Sequence, residues 1–132
     1  MLGTGQTKGN AMLSFLKPKG GAVGRISAAD AVQKAAAGEI TLIDVRDAGE
    51  IRSTGKAKGA LHIPMARLAM VTDPKSPDFD KRLKTDKPVV LYCASGARSQ
   101  MGGQRMAGLG YEKVFNLGGF REWVSAGGPV ER

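Results

Sequence analysis

Cysteine and histidine are almost absent from this sequence. Among 132 residues there is one cysteine, Cys93, and one histidine, His62. A single cysteine cannot form a disulfide within the chain, which is typical of proteins kept in a reducing compartment. We therefore expect a cytoplasmic protein without an internal disulfide, and we expect neither a metal site nor a bound cofactor.

Long hydrophobic runs are missing as well. A helix that spans a bilayer needs about 20 consecutive apolar residues, and no stretch of this sequence approaches that length. The apolar segment at 11–16 is followed directly by Lys17, Pro18 and Lys19, so it is too short for the core of a signal peptide. These features predict a soluble protein with no membrane partner.

Aromatic residues are few, although the formal net charge is +8. The chain has one tryptophan, two tyrosines and four phenylalanines. A nucleic-acid-binding protein is expected to combine a basic face with aromatic side chains that stack on bases, and no recognised binding motif occurs here. We expect no nucleic-acid partner, because solvated surface charge explains the basic excess. The positive field would also attract small anions.

The length of 132 residues fits one domain with a core of its own. We predict a flexible, basic, glycine-rich leader at 1–22 and a folded domain at 23–132. Apolar runs predict strands at 40–45, 60–63, 88–93 and 114–117, with a weaker one at 23–26. Helices are predicted at 28–37, 76–83, 98–109 and after Gly118-Gly119. Strands that alternate with helices predict an α/β fold with a mostly parallel sheet and helices on both faces.

The strand predicted at 88–93 ends in the only cysteine and continues into a loop of small residues. The loop consists of Ala94, Ser95, Gly96, Ala97, Arg98 and Ser99. Backbone N–H groups of such a tight loop can converge on an anion, and the N-terminus of the helix that follows adds about half a positive charge. Together with the guanidinium of Arg98, they are expected to lower the pKa of Cys93 and make its sulfur nucleophilic.

The alternative is that Cys93 is a small buried apolar residue at the end of a strand, which is the usual role of a free cysteine. Packing alone requires neither a loop of small residues nor a nearby arginine. We therefore predict that Cys93 is reactive, that its sulfur is exposed at the carboxyl edge of the sheet, and that residues 94–99 bind an anion.

A second group of polar residues lies around the end of the strand predicted at 40–45. Asp44 is inside this apolar strand, where a carboxylate must find hydrogen-bond donors. With Arg46 and Glu50 it is predicted to form a polar lock that holds a neighbouring loop, rather than a catalytic acid and base.

Two further side chains are weaker candidates. His62 alternates with apolar residues in a predicted strand, which favours a structural role over that of a base. Arg67 follows the end of the same strand, at the edge where α/β proteins bind ligands, so it is a candidate anion contact. An exposed helix charge is the more expected interpretation of Arg67.

Four segments resemble the rhodanese-type sulfurtransferases, and they occur in that family's order. The loop 93–99 is similar to the family pattern Cys-x-x-Gly-x-Arg-Ser, and 44–46 to its early Asp-Val-Arg motif. Segments 59–64 and 117–123 are similar to its Gly-Ala-x-x-Ile-Pro and closing motifs. The resemblance covers roughly residues 25 to 130 and implies a three-layer sandwich around a five-stranded sheet. Many members of the family carry a histidine near the position where this sequence has Lys56, so the sequence departs from the family there.

The resemblance also implies a reaction. A small sulfur-containing anion such as thiosulfate would give its outer sulfur to Cys93 as a persulfide, and cyanide or a thiol, including a protein thiol, would accept it. One alternative is a persulfide carrier or regulatory module with little turnover. The other is a cysteine phosphatase or arsenate reductase, but phosphatases of the resembling kind have one residue more between cysteine and arginine than the four found here.

Overall fold

Five short parallel strands form the central sheet. In a computed structural model, which describes residues 22–132, they are β1 (Gly24–Arg25), β2 (Thr41–Asp44), β4 (Leu61–His62), β5 (Val89–Cys93) and β6 (Val114–Gly119). The strand order is β1-β6-β5-β2-β4, and every neighbouring pair is parallel. The longest strands are central and wholly buried, which explains their continuous apolar runs in the sequence.

Helices cover both faces of this sheet. They are α1 (Ala28–Ala36), α2 (Ala48–Thr54), α3 (Met65–Thr72), α4 (Ala97–Gly108) and α5 (Phe120–Ser125). Alternate residues of β5 point to opposite sides. Leu91 therefore packs in a core cluster with Met106 of α4, whereas Tyr92 packs in another with Trp123 of α5. The predicted three-layer α/β fold with a five-stranded sheet is confirmed.

The predicted helix at 28–37 is also present and has the expected ends. The Ser27 hydroxyl accepts a hydrogen bond from the backbone N–H of Asp30 at 3.1 Å, which caps the first turn. Gly38 follows the helix with φ of 72°, a left-handed conformation that glycine adopts without steric cost. These local signals fix where α1 begins and ends.

Two adjacent glycines let α4 pack closely against α3 and against the residue that precedes β1. A Cβ atom on Gly102 would lie 3.0 Å from Leu68 Cδ2 and 3.1 Å from Met65 Sδ. One on Gly103 would lie 2.9 Å from a methyl group of Val23. The low helix propensity of both glycines is thus offset by close packing, because a larger residue would push α4, and the loop before it, away from the core.

The helix predicted at 76–83 is wrong, since this segment forms successive turns. Three side chains there each accept a hydrogen bond from the backbone N–H group two residues later. Asp73 accepts from Lys75, Ser76 from Asp78, and Asp80 from Arg82. Such local bonds offer the backbone an alternative to a helix.

A small antiparallel ribbon was not predicted. It pairs β3 (Lys56–Ala57) with β7 (Val130–Glu131), and Lys56 Nζ lies 2.5 Å from Glu131 Oε2. The two strands are short and far apart in the chain, so neither carries a recognisable pattern.

The leader predicted at 1–22 lies outside the described residues except for its last position, and it stays a prediction. Between residues 22 and 132, none of the helices has the length and apolar character required to cross a membrane.

Candidate active site

The cysteine loop lies at the carboxyl end of the most central strand. β5 is flanked by β6 and β2, and Cys93 is its last residue. Gly96 has φ of 103°, and a Cβ atom at this position would lie 3.3 Å from Gly118 Cα. Glycine is therefore needed for both the turn and the close approach of β6. The helix α4 begins directly after it.

The loop surrounds the sulfur with hydrogen-bond donors. The backbone N–H of Gly96 donates to Cys93 Sγ at 3.0 Å, and the Ser99 hydroxyl lies 3.4 Å from the same atom. Burial opposes ionisation of the thiol. Hydrogen bonds from the Ser99 hydroxyl and from the backbone of Ser99, Ser95 and Gly96 outweigh that effect, so the pKa of Cys93 is lowered. These donors therefore stabilise the thiolate of Cys93 more than solvent stabilises that of an unperturbed cysteine.

The prediction of an exposed sulfur is wrong. Cys93 has 0% of its surface accessible, whereas Ala94, Ser95 and Ala97 of the loop are exposed. The reason is the alternation along β5, which turns the cysteine side chain toward the face that α3 and α4 cover, in the same cluster as Met106. The sulfur therefore lies beneath the loop rather than on the surface.

Arg98 braces the loop through an ion pair with Glu50. Its guanidinium is therefore not free to act on the sulfur. Its Nη1 and Nη2 donate to the two carboxylate oxygens of Glu50 at 2.8 and 2.9 Å. Glu50 also accepts from the backbone N–H of Asp47 at 2.9 Å, which caps α2. Chiefly through the Arg98 hydrogen bonds, the pKa of Glu50 falls to about 2. The same bonds raise the pKa of Arg98.

The polar residues predicted to act together are divided between two pairs. Glu50 joins Arg98, whereas Asp44 and Arg46 form a buried ion pair with Arg46 Nη2 2.8 Å from Asp44 Oδ2. The Tyr92 hydroxyl donates to the same oxygen at 2.5 Å. Arg46 also donates to the carbonyl of Gly55 at 2.8 Å. This pair ties the end of β2 to β5 and to the turn after α2.

Asn116 is a site residue that the sequence reasoning missed. It is buried in β6, where its Oδ1 accepts from the Ser99 hydroxyl at 2.8 Å and from the Gly118 N–H at 3.0 Å. Its Nδ2 donates to the carbonyl of Gly96 at 3.0 Å and to Gln100 at 3.1 Å. One amide therefore holds the loop at its middle, through Gly96, and at its last residue, Ser99. The available signal was a polar residue inside an apolar strand, the same signal that marked Asp44.

The two weaker candidates lie away from these contacts. His62 Nε2 is 2.7 Å from the carbonyl oxygen of Arg46, so the ring helps hold the turn after β2. Arg67 is an exposed residue of α3. Within residues 22–132, neither side chain has a hydrogen bond to Cys93 or to its loop.

An open cleft of about 350 Å³ lies beside the first residue of the loop. Its lining residues come from the turn after β2, from α2, from the loop and from the start of α5. We call it the Ala94 cleft, and it is lined by Arg46, Glu50, Ser53, Thr54, Ala94, Phe120 and Arg121.

The fold and the site define a class of α/β proteins in which the central parallel strand ends at a cysteine whose sulfur accepts hydrogen bonds from the loop that follows. Comparison with known families places the chain within that class. Residues 27–126 match the model of the rhodanese-like domain. The chain belongs to the rhodanese-like family.

Curated proteins similar to this chain include a named sulfurtransferase and an uncharacterized protein. The chain is 33% identical to the thiosulfate sulfurtransferase GlpE of Coxiella burnetii over 86 residues, which are 64% of this chain and 72% of that protein. It is 35% identical to the uncharacterized protein YqhL of Bacillus subtilis over 91 residues, which are 68% of this chain and 63% of YqhL.

A solved structure from Rhodopseudomonas palustris shares the fold with a TM-score of 0.76 and 33% identity, over 83% of this chain and 85% of that one. It is described as a protein of unknown function and possible tyrosine phosphatase.

Proposed function

We propose that this protein is a sulfurtransferase that moves sulfane sulfur from a donor such as thiosulfate to a thiophilic acceptor through a persulfide on Cys93. The observation that supports it most directly is the set of hydrogen bonds around the sulfur, which lower the pKa of Cys93. The single cysteine fits a reducing, cytoplasmic location.

The reaction has two steps. In the first, the Cys93 thiolate attacks the outer sulfur of thiosulfate, a new S–S bond forms, and the bond to the sulfonate breaks with release of sulfite. In the second, the acceptor attacks the outer sulfur of the persulfide, and the electron pair of the broken S–S bond returns to Cys93 as a thiolate. Loop N–H groups stabilise the negative sulfur in both steps.

Burial of Cys93 adds a requirement to the first step. Because the sulfur is fully enclosed, thiosulfate reaches it only when residues 94–97 move. Ala94, Ser95 and Ala97 of this segment are exposed and have small side chains, which hinder such a movement little.

Mass spectrometry of the intact protein after incubation with thiosulfate tests the proposal. We expect a gain of one sulfur atom, about 32 Da, that is lost on addition of cyanide with release of thiocyanate. Cys93→Ser should show no gain. A wild-type protein that gains no sulfur under these conditions would contradict the proposal, and a stoichiometric gain without turnover would indicate a persulfide carrier.

A cysteine phosphatase is the second candidate, because the R. palustris relative is described as a possible tyrosine phosphatase. Two features disfavour it: only four residues separate Cys93 from Arg98, and the Arg98 guanidinium is paired with Glu50. Hydrolysis of an aryl phosphate without sulfur uptake would favour the phosphatase; an arsenate reductase would instead be detected by thiol-dependent reduction of arsenate.

A further inference from the structure

The side-chain amide of Asn116 is oriented by two backbone groups. The carbonyl of Gly96 can only accept a hydrogen bond, so Asn116 Nδ2 must face it, at 3.0 Å. The backbone N–H of Gly118 can only donate, so Asn116 Oδ1 must face it, also at 3.0 Å. The amide cannot be turned end for end without losing both bonds. It therefore presents an oxygen, and no N–H group, to the hydroxyl of Ser99.

This orientation limits where the hydroxyl hydrogen of Ser99 can go. Ser99 Oγ lies 2.8 Å from Asn116 Oδ1 and 3.4 Å from Cys93 Sγ. A third acceptor, the Gly96 carbonyl at 3.2 Å, already accepts from Asn116 Nδ2 and from the backbone N–H of Gln100. A carbonyl oxygen has two lone pairs, so these two donors use its capacity. The hydrogen is therefore divided between the amide oxygen and the sulfur.

Bulk water takes no part in this choice, because both polar side chains are buried. Ser99 has 0% and Asn116 has 2% of its surface exposed. Each side chain therefore depends on protein partners. A hydrogen bond that one acceptor gives up is taken by the other.

The other groups around the sulfur do not compete for this hydrogen. Arg98 of α4 interacts electrostatically with Cys93, but it is paired with Glu50 of α2. Tyr111 shares the core cluster of Cys93, and its hydroxyl donates to the Thr72 carbonyl at 2.6 Å. Burial raises the pKa of Tyr111 to about 12, so it stays neutral while the thiol titrates. The other buried members of that cluster are apolar.

We propose that Asn116 is a positioning residue for Cys93, which holds the Ser99 hydroxyl hydrogen while the sulfur is neutral and yields it to Sγ while the sulfur is negative. A charged acceptor forms the stronger hydrogen bond, so loss of the thiol proton to solvent turns the hydroxyl from Oδ1 to Sγ. No covalent bond changes at Ser99 or Asn116. Oδ1 keeps its hydrogen bond from Gly118, so it is not left without a partner.

The reaction cycle uses both positions of the hydroxyl, an extension that rests on the proposed sulfurtransferase function. In the persulfide, Cys93 Sγ is a neutral sulfur and a weak acceptor, because the negative charge lies on the outer sulfur. The hydrogen then returns to Asn116. When the acceptor removes the outer sulfur, the electron pair of the broken S–S bond returns to Sγ, and the Ser99 hydroxyl turns back to stabilise the thiolate.

The ultraviolet absorbance of the thiolate, recorded against pH, tests the proposal. Asn116→Leu removes the competing oxygen, so it should lower the pKa of Cys93. We expect the ionisation constant to rise about threefold to tenfold, the range of one neutral hydrogen bond. In a Ser99→Ala background the same substitution should lose most of this effect, because Asn116 acts through the hydroxyl. A rise in the pKa, no change, or an equal fall in both backgrounds would overturn the proposal.

Gln100→Leu is the matched control. It removes the acceptor that lies 3.1 Å from Asn116 Nδ2 but leaves the two backbone groups that orient the amide. The titration of Cys93 should therefore be unchanged. A displacement as large as that of Asn116→Leu would overturn the proposal, because loosening of the amide would then explain both.

The wild-type protein offers a measurement that needs no substitution of Asn116. When Cys93 ionises, Oδ1 accepts from Gly118 alone, so the amide proton signal of Gly118 should move downfield with the midpoint of the thiolate absorbance. In Ser99→Ala this movement should largely disappear. The Gly96 N–H, which donates directly to Sγ at 3.0 Å, should titrate in both proteins. A Gly118 signal that stays fixed, or moves equally in Ser99→Ala, would overturn the proposal.

Loading with thiosulfate at high pH tests the extension to the reaction cycle. The Gly118 signal should return toward its position in the neutral thiol. A loaded protein whose Gly118 signal stays at the thiolate position would overturn the return of the hydrogen to Asn116. Failure to gain any sulfur would instead overturn the sulfurtransferase function, and the titration of Cys93 would still decide the role of Asn116.

Discussion

At the scale of single residues, the hydroxyl proton of Ser99 is shared among several acceptors, one of which is the Cys93 sulfur. The Ser99 hydroxyl has three acceptors within reach, Asn116 Oδ1 at 2.8 Å, the Gly96 carbonyl at 3.2 Å and Cys93 Sγ at 3.4 Å. A hydroxyl donates only one hydrogen bond at a time. A negative sulfur competes better for that proton than a neutral thiol does, because hydrogen bonds to charged acceptors are stronger.

Ser99→Ala should therefore raise the pKa of Cys93, because one of the groups that stabilise the thiolate is lost while the backbone donors remain. Sulfur uptake, which needs the thiolate, should rise with pH along a curve displaced to higher pH. At neutral pH we expect a loss of about tenfold, the range of one hydrogen bond to a charged group. The ultraviolet absorbance of the thiolate, recorded against pH, checks the shift without requiring access to the buried sulfur.

Thr72→Val is a suitable control for this change. It also removes a fully buried hydroxyl that donates to a backbone carbonyl, here that of Leu68 at 2.7 Å, but from α3 and away from the loop. It should lower stability without displacing the thiolate titration. An unchanged titration in Ser99→Ala would show that the backbone donors suffice.

At the scale of elements, the Glu50–Arg98 pair fastens α2 to the first turn of α4, where the loop ends. The pKa of Glu50 lies at about 2, below its ordinary value of 4.5. A carboxyl group whose pKa is lowered by folding stabilises the protein fully above its ordinary pKa, and that stabilisation is lost as the pH falls toward the folded value.

Glu50→Gln should accordingly be less stable than wild type near neutral pH, by about 1 kcal/mol for a pair that is partly exposed to solvent. The difference in the free energy of unfolding should shrink as the pH is lowered from 4.5 toward about 2. Urea unfolding at several pH values measures it. Glu112→Gln removes an exposed carboxylate outside α2 and α4, and a similar pH-dependent difference there would contradict the assignment to the pair.

At the scale of the whole molecule, the same kind of ion pair, between an aspartate and the arginine two residues later, occurs twice within residues 22–132. One pair is buried and the other lies at the surface. Asp44 and Arg46 are buried, whereas Asp80 and Arg82 form the same contacts in a surface turn, where 68% of the Arg82 side chain is exposed. In both, the arginine Nε and Nη2 bond the carboxylate two residues earlier. The buried copy also connects β2, β5 and the turn after α2.

Removing each carboxylate should separate the effect of burial from that of the bond. Asp44→Asn leaves the Arg46 charge buried without a counterion, so the free energy of unfolding should fall by about 3 to 5 kcal/mol. Asp80→Asn should change it by less than about 1 kcal/mol. Thermal or urea unfolding of both variants makes the comparison, and equal losses would mean that burial does not set the cost.

Where the determinants of structure are close in the chain, the sequence was enough. The cap at Ser27, the turn at Gly38, the apolar run of β5 and the small residues after Cys93 each act within a few positions, so spacing alone predicted α1, the central strand and the loop. The alternation of such elements then predicted the parallel sheet.

Only the tertiary structure decided which distant groups meet. Glu50 and Arg98 are 48 positions apart, Asn116 reaches back 20 positions to the Gly96 carbonyl, and β3 finds β7 at the other end of the domain. The burial of Cys93 was decided in the same way, by the helices that pack over its side of the sheet. Local patterns state what a residue can do, but its partners and its exposure are set by packing that brings remote segments together.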